Sequence, residues 1–276
     1  MTMQTRSPRR GTRDQERLRA RYGPWALVTG ASSGIGRAFA VYLAEASVNL
    51  ILAARRREVL ETLSAELTER NGIDARVVAV DLGRPEGIAM LLAETGMLDI
   101  GLFVASAGFG TSGSFIEKDL APELEMIDVN CRAVAALSHA FGRRFAERGR
   151  GGMVLMSSLV AFQGVPRAAN YAATKAYVQS LAEGLRVELA PRGVDVLASA
   201  PGPVNSGFAA RASMTMSFAQ TPTEVAASTL SALGRQGTVR PGLLAKLLEW
   251  SLSLLPRWGR VRVMALVMGK MTKGHA

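Results

Sequence analysis

A short apolar run, Ala26-Leu27-Val28, passes without a break into Thr29-Gly30-Ala31-Ser32-Ser33-Gly34-Ile35-Gly36, and an apolar-periodic stretch follows at once. A strand that turns into a helix through three glycines at GxxxGxG spacing needs positions that accept positive φ and close backbone approach. Its helix N-terminus also presents unpaired N–H groups at the positive end of the helix dipole, a setting that suits a pyrophosphate. Such a turn gains weight from its context, between a strand and a helix near the start of a fold.

That context is repeated. Strand-like runs recur at 48–53, 76–80, 100–104, 153–156 and 194–198, and helical periodicity fills 35–46, 57–71, 85–95, 121–148 and 172–190. Alternating β and α segments with wholly apolar strands predict a parallel sheet covered on both faces. The expected fold is therefore α/β, a doubly wound parallel sheet of Rossmann type. No repeat or linker divides the centre, so 23–234 reads as one catalytic domain. It lies between a basic disordered tail over 1–22 and a basic, apolar helical extension over 235–276.

The net charge of +10 belongs to the ends. Residues 1–22 hold seven arginines against Asp14 and Glu16, and 235–276 hold eight Lys/Arg against Glu249, which leaves the body near −2. A body of that charge argues against a nucleic-acid face built into the fold. One cysteine, Cys131, and two histidines, His139 and His275, supply neither a disulfide framework nor a Cys/His metal site. The polar, Arg-rich first 22 residues do not resemble a signal peptide, so the chain is expected to be cytoplasmic.

Where the second strand ends, the chain reads Ala53-Ala54-Arg55-Arg56-Arg57. An acid at this place bonds a ribose 2′-hydroxyl, whereas a guanidinium fork matches a 2′-phosphate, so NADP is expected ahead of NAD. Further on, Tyr171 and Lys175 stand four apart at the start of a helical stretch, one turn apart on one face. A phenol is a poor acid–base group at neutral pH, and a neighbouring ammonium favours its phenolate.

Together these motifs resemble the short-chain dehydrogenase/reductase family, which joins a TGxxxGxG turn to a YxxxK pair and a serine about a dozen residues before the tyrosine. Ser158 precedes Tyr171 with 12 residues between, and adjacent Ser157 is the competing choice. The resemblance covers roughly 24–208. It implies a catalytic set of Asn130, Ser158, Tyr171 and Lys175, with Asn130 in a proton relay and Lys175 holding the ribose and lowering the tyrosine pKa. It implies a dinucleotide site made of Gly30, Ser32, Ser33, Gly34, Ile35 and Gly36, then Arg55, Arg56, Asp81 and Leu82. Ser106, Ala107 and Gly108 complete it with Pro201, Gly202, Val204 and Ser206, besides Asn130, Tyr171 and Lys175. Ser206 stands where a threonine is usual. Ala105-Ser106-Ala107-Gly108 keeps the family's Ala-Gly and replaces two asparagines. The implied activity is hydride transfer between NADP(H) and a carbonyl or secondary alcohol, by a homodimer or homotetramer. A non-catalytic NADP-binding sensor or scaffold is the alternative, and an intact four-residue set argues against it.

The segment after the Pro-Gly loop is expected to shape the substrate pocket. Phe208, Met214, Met216, Phe218 and the leucine-rich tail suggest a lipophilic ketone or 3-oxoacyl substrate. The apolar, basic stretches over 241–272 also read as interfacial helices on an anionic membrane, with Trp250 and Trp258 at the boundary. Lys246, Glu249, Pro256 and Arg260 interrupt them too often for a span. A lid or an oligomer surface explains the same residues.

Overall fold

The computed structural model describes residues 13–207, 219–242 and 254–271. Seven parallel strands form one sheet in the order β3-β2-β1-β4-β5-β6-β7. They are β1 (Trp25–Thr29), β2 (Asn49–Ala54), β3 (Ala75–Ala79), β4 (Ile100–Ala105), β5 (Gly151–Met156), β6 (Val194–Ser199) and β7 (Thr238–Val239). The central strands β1, β4 and β5 are buried along their whole length, because helices cover both faces. Alternate side chains divide between two cores. Ala26, Val28 and Val154 join the core under α2 (Gly34–Glu45), while Leu27, Phe103 and Met153 join the one under α6 (Ala133–Arg148). The chain crosses from β3 back to β4 beside β1, so the strand order reverses there and a crevice opens at the strand C-termini.

The remaining helices are α1 (Arg13–Tyr22), α3 (Arg57–Asn71), α4 (Pro85–Glu94), α5 (Leu120–Ile127), α7 (Ala169–Leu189), α8 (Pro222–Ala232) and α9 (Arg257–Met271). Three of them correct the sequence reading. Over 13–22 the expected disordered tail is instead α1, whose Leu18 and Tyr22 are buried at 0% and 1% exposure. Two of its arginines are structural: Arg17 donates to the carbonyls of Leu233 at 2.7 Å and Leu230 at 2.9 Å, satisfying the end of α8. Arg21 and Tyr22 both donate to the Asp195 carboxylate. Two apolar residues four apart suffice to dock a helix whose other positions look like a solvated tail.

The single helix expected over 121–148 is α5 and α6 joined by a π-turn, Asp128–Arg132. Such a turn carries one extra residue without breaking the helix, and Asn130 sits in it, 1% exposed. Helix α8 was missed, although Thr221 and Glu224 cap its start reciprocally and Pro222 opens it. Phe208, Met214, Met216, Phe218 and Trp250 lie outside the described residues. Among the described residues, no helix is long and apolar enough to cross a membrane.

Candidate active site

One cavity of about 870 Å³ lies along the crevice at the strand ends. At one end stands the glycine turn. Gly30 (φ 70°) bonds its N–H to the Ala53 carbonyl at 2.8 Å, and Gly34 (φ 57°) opens α2. A Cβ on Gly36 would overlap the Gly30 carbonyl oxygen, and one on Gly30 would stand 2.9 Å from the Ala107 backbone. This close-packed cradle, with helical N–H groups at its floor, fits a dinucleotide pyrophosphate; Ser32, Ser33, Ile35 and Gly36 line it. The replaced asparagines of Ala105-Ser106-Ala107-Gly108 cost little structure. The Thr29 hydroxyl accepts from the Ser106 and Ala107 amides, both at 3.1 Å, and holds that segment against β1.

Arg55 and Arg56 follow β2 at the same end of the cavity. Arg55 pairs with Glu125 of α5 at 3.2 Å, and Arg56 donates to the Ser32 hydroxyl at 3.0 Å. Asp81 and Leu82 line the wall, where the Asp81 carboxylate accepts from the Gly83 amide at 3.0 Å. Ser106, Ala107 and Gly108 continue it, with Pro201, Gly202, Val204 and Ser206 on the far side. Val204 bridges Gln220, which anchors that loop just before the segment that returns to α8.

Farther along the cavity, α7 carries Tyr171 and Lys175 on one face, and the turn after β5 carries Ser158. Tyr171 is partly buried; desolvation pushes its phenol up to about 12, and a hydrogen bond with Ser158 pulls the other way. The Lys175 ammonium donates to the Met156 carbonyl at 2.8 Å and lies 5.8 Å from the Tyr171 ring. Burial lowers its pKa to about 8, against the small opposing pull of Cys131. Desolvation therefore outweighs any depression of the phenol by Lys175 in the protein alone, contrary to what the i, i+4 spacing suggests. The two serines differ in their commitments. Ser157 donates to the Lys175 carbonyl at 3.2 Å, whereas Ser158 meets Tyr171.

Asn130 stands behind this wall. Its amide donates to Phe109 O at 2.9 Å and to the Thr174 hydroxyl at 3.1 Å, and its oxygen accepts from Phe109 N at 3.2 Å. A Cβ on Gly108 would meet that oxygen at 2.9 Å, so the glycine lets the amide approach the cavity.

The near wall beyond Tyr171 was not resolved into residues by sequence reasoning. Helix α9 lays Arg260, Val263, Met264, Val267 and Met268 along the cavity. Met268, 3% exposed, packs with Val165, Ala168 and Ala172, and Met264 joins Tyr171 and Val160 at the edge of that cluster. The signal was the apolar stretch over 261–268, whose orientation no local pattern specifies.

The family model for short chain dehydrogenases matches residues 24–217. This chain belongs to the short-chain dehydrogenase family. A 7beta-hydroxysteroid dehydrogenase of Clostridium sardiniense is 36% identical over 185 residues, 67% of this chain and 71% of that protein. A very-long-chain 3-oxoacyl-CoA reductase of Macaca fascicularis is 28% identical over 92% of this chain and 82% of its own length. The solved short-chain dehydrogenase of Sphingobium yanoikuyae in complex with NADPH superposes with a TM-score of 0.77 at 29% identity, covering 85% of this chain and 97% of that one. The chain is accordingly an oxidoreductase that exchanges hydride between a nicotinamide dinucleotide and a carbonyl or alcohol.

Proposed function

We propose that the protein reduces a lipophilic ketone with NADPH, Tyr171 giving the proton and Ser158 steadying the oxyanion as it forms. The observation that carries this reading is the layout of this cavity, with a guanidinium pair at its dinucleotide end and Ser158, Tyr171 and Lys175 at its apolar end. When bound, the dinucleotide supplies the hydride. Lys175 would hold the ribose, and Asn130, fixed between Phe109 and Thr174, would support a water-borne proton path. A neutral phenol with a raised pKa is suited to donate to an alkoxide, since it stays protonated until charge develops on the substrate oxygen. Relatives named for hydroxysteroid and long-chain oxoacyl chemistry support the lipophilic substrate, as do Met264, Val267 and Met268 along the wall.

Titration of the protein with NADPH and NADH, followed by nicotinamide fluorescence, tests the cofactor. Binding of NADPH at least tenfold tighter is expected, and Arg55→Ala with Arg56→Ala should remove about ten- to hundredfold of it while sparing NADH. Preference for NADH overturns the NADP reading.

A second reading concerns the outer side of α9. Trp258 and Leu266 there are 65% and 72% exposed, Arg262 lies 5.2 Å over the Trp258 ring, and α9 has no acidic residue. These features favour contact with an anionic membrane surface. Vesicles of anionic lipid should sediment the full chain and not a chain ending at residue 240; equal behaviour of the two refutes it. Exposed Leu120, Leu124 and Ile127 on α5 and Tyr177 and Val187 on α7 support pairing of copies through those helices.

A further inference from the structure

Helix α5 inverts the usual pattern of an amphipathic helix. Its exposed positions include Leu120, Leu124 and Ile127, whereas its buried pair is Met126 and an acid, Glu123, 4% exposed. A carboxyl group taken out of water is costly unless donors meet it, and here both oxygens are met. The Thr111 hydroxyl donates to Oε1 at 2.5 Å, and the Asn170 amide donates to Oε2 at 2.8 Å and to the Glu123 carbonyl at 3.0 Å. Thr111 belongs to the loop after β4, and Asn170 to the first turn of α7, immediately before Tyr171. One side chain thus joins α5 to two segments that form the cavity wall through Phe109 and Tyr171, while Glu123, Thr111 and Asn170 stand outside its described lining.

The join falls where α7 has little support of its own. Its N-cap, Ala168, makes no side-chain hydrogen bond, so the tie from Asn170 holds the first turn from the side. A second tie, from the Gly113 amide to the Arg167 carbonyl at 2.8 Å, joins the same loop to the segment that leads into α7. The Tyr171 hydroxyl has to meet Ser158, and the first turn of α7 sets where it stands. A misplacement of about 1 Å at a reacting group can cost about a hundredfold in rate. We infer that Glu123 is a positioning residue for proton transfer, holding the first turn of α7 through Asn170 so that the Tyr171 hydroxyl stays in line with Ser158 and the substrate oxygen. The inference rests on Tyr171 acting as proton donor to a ketone, and it adds a group outside the cavity on which that donor depends.

The test uses the full chain with NADPH and an oxosteroid or a 3-oxoacyl thioester, whichever it reduces faster. Glu123→Met removes both acceptors at similar volume and should lower kcat about ten- to hundredfold. The solvent deuterium isotope effect on kcat should rise, because a misaligned proton transfer becomes the slow step, while NADPH affinity by fluorescence stays unchanged. Glu123→Gln keeps one oxygen and, since the Thr111 hydroxyl can turn to accept, should recover most of the rate. Asn170→Ala should reproduce the defect, and combining it with Glu123→Met should slow the protein no further. If Glu123→Met does not fold, Asn170→Ala carries the test. A native kcat and isotope effect in either variant overturns the inference, whatever the loss of thermal stability, and additive losses in the double variant overturn the route through Asn170. Amide hydrogen exchange over 169–178 needs no substrate: either variant should speed it about tenfold, and unchanged exchange overturns the inference. A native protein that binds NADPH and reduces neither probe refutes the ketone reading, and the exchange result then decides whether Glu123 fastens α7.

Discussion

The two ends of the cavity are built by different means. The dinucleotide end is made of backbone: the glycine cradle, the start of α2 and the segment after β4, locked through Thr29 to within a few tenths of an ångström of overlap. The substrate end is made of flexible side chains, Met264 and Met268 foremost, from a helix that joins the sheet's crevice about ninety residues after Tyr171. One end tolerates no added methyl, whereas the other uses unbranched thioethers that repack around different shapes. The contrast teaches where this molecule can vary. Its cofactor site is an obligation of the fold, and its substrate site is an attachment to it.

The comparison breaks most visibly at the junction of the halves. Tyr171→Phe removes the only proton donor we assign to the substrate oxygen and should lower kcat by about 10²- to 10⁴-fold, with NADPH affinity unchanged by fluorescence titration. A variant with near-normal turnover would take Tyr171 out of that role.

Lys175 sharpens the comparison through pH. Its folded pKa is lowered to about 8 from 10.5 by burial, so between those values the unfolded chain holds a proton that the folded chain has lost. Stability then rises with pH across that window and is flat below it, by about 1.4 kcal/mol per pH unit at most. Urea unfolding of the dinucleotide-free protein should show the native chain gaining on Lys175→Met from pH 8 upward. Parallel curves for the two would mean that the ammonium is not desolvated.

The smallest effect belongs to the attached end. Met268→Ala opens space beside Val165, Ala168 and Ala172 and should raise KM for a lipophilic ketone a few-fold, roughly 1 kcal/mol of lost apolar contact. NADPH affinity should not move. If it weakens by as much as the ketone's, α9 serves both ends and the division fails.

Much of the first half of this division was legible without coordinates. Strand placement, the turn at Thr29 to Gly36, the Arg55–Arg56 step and the Tyr171/Lys175 pair are local patterns. Backbone sterics and a period of two or of 3.6 express them within a few residues. The same is true of the capping box at Thr221 and Glu224, a signal present and passed over. What stayed hidden is long-range. Arg17, Arg21 and Tyr22 looked like part of a charged tail because their partners, Leu233, Leu230 and Asp195, are over 170 residues away. The π-turn that turns Asn130 inward departs from the period on which helix reading depends.

By itself the sequence determined the α/β class, the family and the glycine turn between β1 and α2, because these follow from short-range geometry repeated along the chain. Tertiary structure alone decided that burial holds the phenol up and the ammonium down, and that α9 turns Arg260, Met264 and Met268 toward the cavity. Those outcomes depend on desolvation and on contacts between distant segments, and neither is written in the spacing of neighbouring residues.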